Sequence, residues 1–361
     1  MSNRLEWGWY APLDGDGAHV GTYEPEIAPS IDYITQVGQA AETAGFDTLL
    51  VPTSLLNSAY TEYSPRTDAI TAATAVGLAT KRLKILLAFK FGEMHPALLA
   101  KVCSSLDQAT NGRLLVNVTS GSGSMEARFG ETLEHDARYE RTWETLRLLK
   151  RLWTEKSIDF DGHFFALKNA ISEPKPVQQP YPPLYGVGQS EIAKNMSALE
   201  CDAHLMQCDT PSRVAEQVND IRARAEKHGR QMRFGIRAQI VVRETEILAW
   251  KKLRDMLSRV DARVVAARQA EYAKFDATET KRLVEEALNA NLIAPNVWNG
   301  MHAVKSGAGT VLVGSPEQIA ERIRDYVNAG IDTFIFSCYP HREEAGRVGE
   351  MVISRVEASL D

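Results

Sequence analysis

The sequence predicts a closed α/β barrel of the (β/α)8, or TIM, type. Three observations predict it. Short β-rich apolar runs alternate with longer segments of helical period, the strands so read number eight, and polar residues collect just past the C-terminal ends of those strands. Alternation calls for a parallel sheet wrapped by helices, eight strands suffice for closure, and the C-terminal rim is where such barrels place their chemistry.

The strands fall at 5–11, 47–53, 84–90, 114–120, 183–188, 202–207, 233–242 and 332–337. Helix starts are legible at Thr210-Pro211-Ser212 and Ser315-Pro316-Glu317. In each, a hydroxyl side chain caps the helix and a proline, whose missing N–H costs nothing in the first turn, follows. Gly45, Gly229 and Gly330 sit just past apolar stripes and read as helix stops.

Two segments exceed ordinary connectors. The first, 155–182, contains Phe160-Asp161-Gly162-His163-Phe164-Phe165, which reads as a small hairpin, followed by Pro174, Pro176, Pro180 and Pro182. The second, 259–314, is charged and helical to Leu292, then irregular through Pro295-Asn296-Val297-Trp298-Asn299-Gly300 and Ser306-Gly307-Ala308-Gly309. Its glycine-flanked part, about 299–310 and carrying Lys305, reads either as a mobile lid or as a solvated loop with an idle lysine. The chain, 1–361, reads as one barrel domain bearing these insertions, without internal repeats.

Composition narrows the function classes. The net charge is −6 and no cluster of Lys and Arg interleaves with aromatics, which argues against nucleic acid. No apolar run approaches the roughly 18 residues of a membrane helix, and Met1-Ser2-Asn3-Arg4-Leu5-Glu6 lacks a signal peptide's apolar segment, so a cytoplasmic protein is expected. Cys103, Cys201, Cys208 and Cys338 match no zinc spacing and read as reduced thiols, with no metal site.

The richest stretch is 333–344. A buried apolar strand there delivers Tyr339 and His341 off its C-terminal end. Other strand ends carry Thr53-Ser54, Asn117 and Thr119-Ser120-Gly121-Ser122-Gly123-Ser124, while Arg237 and Gln239 lie inside the seventh strand. An arginine within an Ile/Val-rich strand is rarely left unpaired. It serves either a structural salt bridge or, with Tyr339 and His341 leaving the neighbouring strand, a functional cluster. Gly186-Val187-Gly188-Gln189-Ser190, between the fifth strand and a helix near Glu191, aims backbone N–H groups at an anion, a weak signal alone. His135-Asp136-Ala137-Arg138-Tyr139-Glu140 reads as a helix start. The two together are compatible with a phosphorylated cofactor.

Four ordered segments then carry a resemblance: Val177-Gln178-Gln179-Pro180-Tyr181-Pro182-Pro183-Leu184-Tyr185, Arg233-Phe234-Gly235-Ile236-Arg237, Gly307-Ala308-Gly309-Thr310-Val311-Leu312-Val313-Gly314 and Tyr339-Pro340-His341. Through nearly its whole length the chain resembles the bacterial-luciferase superfamily of flavin-dependent monooxygenases, most closely the alkanesulfonate monooxygenase branch. The resemblance implies a TIM barrel that takes reduced FMN (FMNH2) from a separate NAD(P)H-dependent FMN reductase and reacts it with O2. It implies that Tyr139 and the Gly188-Gln189-Ser190 turn hold the FMN phosphate, that Asn117 and Ser120 lie near the ring system, with Thr53 beside them, and that the subunits form a homodimer or homotetramer. Apolar stretches from Ala72 to Ala79 and from Ala97 to Leu106 could supply the interface or equally the barrel packing.

Oxygen chemistry on a flavin needs a dry, positively biased pocket. Arg237 would supply the charge, Tyr339 and His341 hydrogen bonds, and His341 a proton. The chain departs from the alkanesulfonate pattern at its substrate end. Gln239 stands for a histidine, Asp14 for a histidine, Tyr23 for a glutamate, Gln207 for a tryptophan and Lys305 for an arginine, and the segment with Asn57 lacks a cysteine. Arg237 and Lys305 could still hold a sulfonate, though Lys305 loses an arginine's bidentate geometry and Asp14 would oppose an anion if it faced the pocket. A neutral sulfone, N-heterocycle or amine is the nearest alternative substrate. A deazaflavin-dependent oxidoreductase and a non-catalytic flavin-binding protein are the other readings.

Overall fold

The computed structural model describes residues 4–57, 59–121, 125–272, 278–287, 292–305 and 307–360; Ser122, Gly123, Ser124 and Ser306 lie outside them. Eight parallel strands close a barrel: β1 (Glu6–Tyr10), β2 (Thr48–Val51), β3 (Lys84–Lys90), β4 (Leu114–Thr119), β7 (Leu184–Val187), β8 (Ala203–Gln207), β9 (Arg233–Val242) and β13 (Thr333–Ser337). Each pairs with the next in that order, β9 with β13, and β13 with β1. These are the eight strands expected from sequence, with ends trimmed by a residue or two.

The helices following the barrel strands are α1 (Ile31–Thr43), α2 (Ala69–Ala79), α3 (Pro96–Ala109), α4 (His135–Thr154), α5 (Glu191–Glu200), α6 (Pro211–Glu226), α7 (Glu246–Leu257) and α11 (His341–Val348). Thr210 caps α6, and Ser315 forms a full capping box on α10 (Pro316–Asn328). Gly45, Gly229 and Gly330 all take positive φ beyond their helices. Helix α12 (Ser354–Leu360) closes the described chain. Among the described residues no helix is long and apolar enough to cross a membrane.

The insertions resolve into structure. The first holds the expected hairpin, β5 (Ile158–Asp161) against β6 (Ala166–Ala170). The second holds α8 (Ala262–Tyr272) and α9 (Thr278–Ala287), but its expected irregular end is corrected. There β10 (Leu292–Ala294), β11 (Val297–Trp298) and β12 (Val311–Gly314) extend the sheet, β12 running parallel to the upper half of β9 where β8 has stopped. Sequence patterning misses the ladder because β10 and β11 span only three and two residues, and β12, as short as β2, pairs only with β9 and β11.

Because side chains alternate along a strand, one residue in two faces the barrel axis. The axis is layered. At the N-terminal end the buried Glu6 carboxylate accepts from Thr48 Oγ1 at 2.6 Å, Arg233 at 2.5 Å and Tyr185 Oη at 3.3 Å. Above it lies an apolar belt of Leu50, Leu86, Leu115, Ala203, Leu205 and Ile335. Burial pushes the Glu6 pKa up, but Lys84, the Thr48 hydroxyl and Arg233 together hold it below 4.5. Its stabilisation is thus present above 4.5 and is lost as pH falls through the depressed folded value. Glu6→Gln is expected to cost about 2 kcal/mol at pH 7, less than a fully buried pair because Arg233 is partly exposed. Urea unfolding at pH 7 and pH 3 checks this, the gap from wild type closing at the lower pH.

Candidate active site

Above the apolar belt the inward positions turn polar. Strand register brings Gln207 beside Arg237, Ile335 beside Arg237 and Ser337 beside Gln239. Tyr339 follows β13 by two residues and His341 opens α11, so the strand does deliver both to the rim.

Two arginines four residues apart on β9 divide the roles weighed from sequence. Arg233 takes the structural ion pair, with Glu6 and Asp332. Arg237 instead lays its guanidinium over the Tyr10 ring, 4.2 Å from the centroid. No carboxylate among the described residues forms an ion pair with it, and its buried Nε meets no acceptor. Gly307 covers this guanidinium with φ +78°, and a Cβ there would fall 3.3 Å from both terminal nitrogens. Only glycine combines that backbone with that approach.

Lys305 is buried, with Nζ 3.5 Å from Ala308 O and 5.5 Å from the centroid of the Tyr339 ring. It is no idle surface lysine. Burial first, then the Arg237 charge, pull its pKa down to about 7, against an upward pull from Asp14. Gln239 secures the covering segment to the barrel: its Nε2 donates to Ala308 O at 3.2 Å and to Ser337 Oγ at 2.7 Å. Its Oε1, like Oε1 of Gln207, is buried with no partner.

Tyr339 is buried against His341, ring centroids 4.7 Å apart. Burial, reinforced by Tyr60, Tyr10, Asp16 and Asp14, raises its pKa well above 10, so it stays a hydrogen-bond donor. His341 Nδ1 lies 3.0 Å from Oδ1 of Asp16, while its buried Nε2 has no partner. Asp16 was not legible from sequence, because its partner His341 lies 325 residues away.

The remaining substrate candidates separate. Asp14 is ion-paired to Arg66, which also donates to Pro52 O at 3.0 Å. That pairing, missed from sequence, reduces the opposition to an anion expected of Asp14. Asn57 is spent on its own loop, its Oδ1 accepting from the N–H groups of Ala59 and Tyr60 and its Nδ2 donating to Pro65 O. It nonetheless lines a cavity of about 410 Å³ with Tyr23, Tyr60, Met125, Arg263 and Arg268. Arg268 donates to Tyr60 O at 2.9 Å and its charge reaches Lys305, so this cavity adjoins the cluster.

The cofactor candidates stand past β2, β4 and β7, with Tyr139 on α4. Gly188 has φ +107°, and a Cβ there would fall 2.5 Å from Tyr139 Oη, so α4 and the turn meet as expected. Ser190 caps α5, its Oγ accepting from Ala193 N at 3.4 Å and leaving its O–H to donate. The Gln189 side chain turns away to Gln217, 3.0 Å, which leaves only its backbone for an anion. Asn117 Oδ1 is buried without a partner, Ser120 lines a cavity of about 400 Å³ with Lys90 and Arg141, and Thr53 is partly buried past β2. If this turn holds a flavin phosphate, Gly188→Ala should weaken reduced flavin binding by about tenfold or more, the worth of one charge-assisted contact. Anaerobic fluorescence titration measures it.

Set against known proteins, residues 6–333 match the family described as luciferase-like monooxygenase. The chain belongs to the luciferase-like monooxygenase family. Membership makes it an enzyme of the flavin-dependent monooxygenase class. The long-chain alkane monooxygenase LadA shares its fold, with TM-score 0.80 and 20% identity over 99% of this chain and 92% of that one. EDTA monooxygenase (EmoA) from Chelativorans sp. BNC1 does so with TM-score 0.79 and 16% identity, over 99% and 94%. An F420-dependent secondary alcohol dehydrogenase is also similar, with TM-score 0.71 and 20% identity over 98% and 99%. At such identities the likeness of structure speaks for the fold alone.

The residues fit a flavin. Buried polar atoms without partners on Asn117, Gln207, Arg237, Gln239 and His341 ring the mouth, offering both donors and acceptors of the kind a flavin ring edge or a polar substrate requires.

Proposed function

We propose that the protein is the oxygenase component of a two-component system. It takes FMNH2 from a separate NAD(P)H-dependent FMN reductase and uses O2 to oxygenate a small organic substrate, with alkanesulfonates, cleaved to sulfite and aldehyde, the first candidates. The observation that carries the reading is the Arg237 guanidinium, buried at Nε without an acceptor, stacked on Tyr10, and set beside buried Lys305.

Bound reduced FMN would supply the electrons and the centre at which oxygen is activated. Tyr139, the backbone of the Gly188-Gln189-Ser190 turn and the Ser190 hydroxyl would hold its phosphate at the N-terminus of α5. Asn117, Ser120 and Thr53 would face its ring. Arg237 and Lys305 offer fixed positive charge to a sulfonate or a developing oxyanion, where exclusion of water strengthens the interaction. Tyr339 would donate a hydrogen bond, and Gly307, in the segment secured by Gln239, lies over the half-buried guanidinium.

A neutral sulfone, N-heterocycle or amine is the second reading. It is favoured by Gln239 and Gln207, whose Oε1 atoms would accept from a substrate N–H or O–H rather than donate to an anion. Self-association through α2 and α3, where Leu78 and Leu98 are exposed, belongs to the same proposal, as does a cytoplasmic location. The test is a coupled assay with an FMN reductase, NADH and air over short to long alkanesulfonates. Sulfite release supports desulfonation. Absence of sulfite with tight binding of reduced FMN transfers the assignment to the neutral substrates, and turnover with reduced F420 alone overturns the FMN reading.

A further inference from the structure

Asp16 is a buried carboxylate at the barrel mouth that the proposed function leaves unused. It is fully buried in the loop after β1, and all its hydrogen-bonding capacity is directed. Oδ1 accepts from Gly17 N at 2.9 Å and faces His341 Nδ1 at 3.0 Å, while Oδ2 accepts from Tyr33 Oη and from His341 N, both at 2.7 Å. Three N–H or O–H donors and the His341 ring thus converge on its two oxygens. The Tyr33 hydroxyl is itself held protonated, its pKa raised by burial and by Asp16. The histidine is fixed as firmly. Its backbone is gripped by Asp16 at N and by Trp9 Nε1 at O, 3.1 Å, its ring lies between Tyr339 and Tyr10, and Nε2 is buried without a partner.

We infer that Asp16 is a positioning residue that makes His341 the proton carrier of this site. Resting on the oxygenase reading, this supplies that reading's proton traffic. Asp16 holds the neutral imidazole in the Nδ1–H tautomer, so the lone pair that remains is on Nε2. When a substrate O–H or N–H meets Nε2, the X–H bond breaks with its electron pair left on X, an Nε2–H bond forms, and the imidazolium charge faces the Asp16 carboxylate. The reverse transfer returns that proton to an oxyanion or leaving group. Asp16 keeps its charge throughout and exchanges no proton. The same contact from an asparagine would lack the charge and present an N–H to either Nδ1 or the donors of Tyr33 and His341.

The test reads the tautomer before it reads activity. In the full chain labelled with 15N-histidine, long-range proton–nitrogen correlation, assigned by His341→Gln, should show Nδ1 protonated and Nε2 bare in the neutral ring. Asp16→Asn should mix or reverse that tautomer and alter the acidic limb of kcat/KM. It should also lower kcat/KM by about a hundredfold and, with an N–H now meeting the Tyr33 and His341 donors, lower the thermal midpoint by a few degrees, reduced FMN affinity being little changed. The groups facing this pair are Tyr33, Tyr10 and Tyr339, with Arg237 acting through Tyr10, Lys305 through Tyr339, and Arg342 and Glu343 through Tyr33. Lys305→Met, which keeps the dyad, separates any lysine contribution to the limb. An Nε2–H tautomer in the unaltered protein overturns the inference, as does an Asp16→Asn protein with unchanged tautomer and pH profile. Failure to find oxygenated product would refute the oxygenase reading and leave the tautomer result standing.

Discussion

Arg237→Ala is expected to lower coupled oxygenation by two to three orders of magnitude, the loss typical of removing a fixed charge or donor from a water-excluded site. The fold should survive, because the structural ion pair on β9 belongs to Arg233 and not to Arg237. The guanidinium forms no ion pair among the described residues, so no buried carboxylate is stranded by its removal. What is lost is the positive end of the mouth and the Tyr10 stack. Arg237→Lys keeps the charge but neither the planar stack nor the fork, and should recover only part of the rate. Normal coupled turnover in the alanine variant would remove Arg237 from the chemistry.

The second large effect follows from Lys305. Its pKa of about 7 means that the site holds two cations below neutrality and one above. Affinity for an anionic substrate should therefore fall as pH rises through about 7, with the bound anion moving that limb upward by favouring the charged amine. Lys305→Met should remove the limb and raise KM for a sulfonate by about 10- to 100-fold, the worth of one charge-assisted hydrogen bond. For a neutral substrate the same variant should change KM little, which makes it a discriminator between the two substrate readings. The stability signature has a definite sign. Between about 7 and 10.5 the unfolded chain holds a proton that the folded lysine has released, so stability rises with pH across that window. Below about 7 both states are protonated and the cost of the buried charge is fully present. Chemical denaturation of wild type and Lys305→Met from pH 6 to 10 should show this slope in the first protein only.

Much of this was legible in the sequence because it is local. The barrel strands announce themselves as apolar runs, and Thr210, Ser315 and Gly330 mark helix ends by their own backbone chemistry. Tyr339 and His341 follow their strand directly. What escaped is what the fold brings together from afar. Asp16 and His341 are 325 residues apart, and nothing in either neighbourhood names the other. Arg66 neutralises Asp14 from a loop with no periodicity to read. The division between Arg233 and Arg237 depends on height in the barrel, since both occupy the inward face of one strand. Which of them meets Glu6 is set by the register of β9 against β13, a property of the closed sheet. The covering segment 307–310 stays irregular as read, but β12 just after it becomes a strand only because β9 supplies its partner.

The most direct test of the account is isotopic. Purified protein, an FMN reductase, NADH and 18O2 would be combined with a substrate from the sulfonate or neutral sulfur and nitrogen panel that supports turnover, and the product analysed by mass spectrometry. One oxygen atom from 18O2 per turnover is expected in the organic product, an aldehyde being trapped by reduction before it exchanges with water, while the other atom leaves as water; the label is expected to be lost in Arg237→Ala. Product formed without 18O, or formed only with reduced F420 in the absence of oxygen, would contradict it.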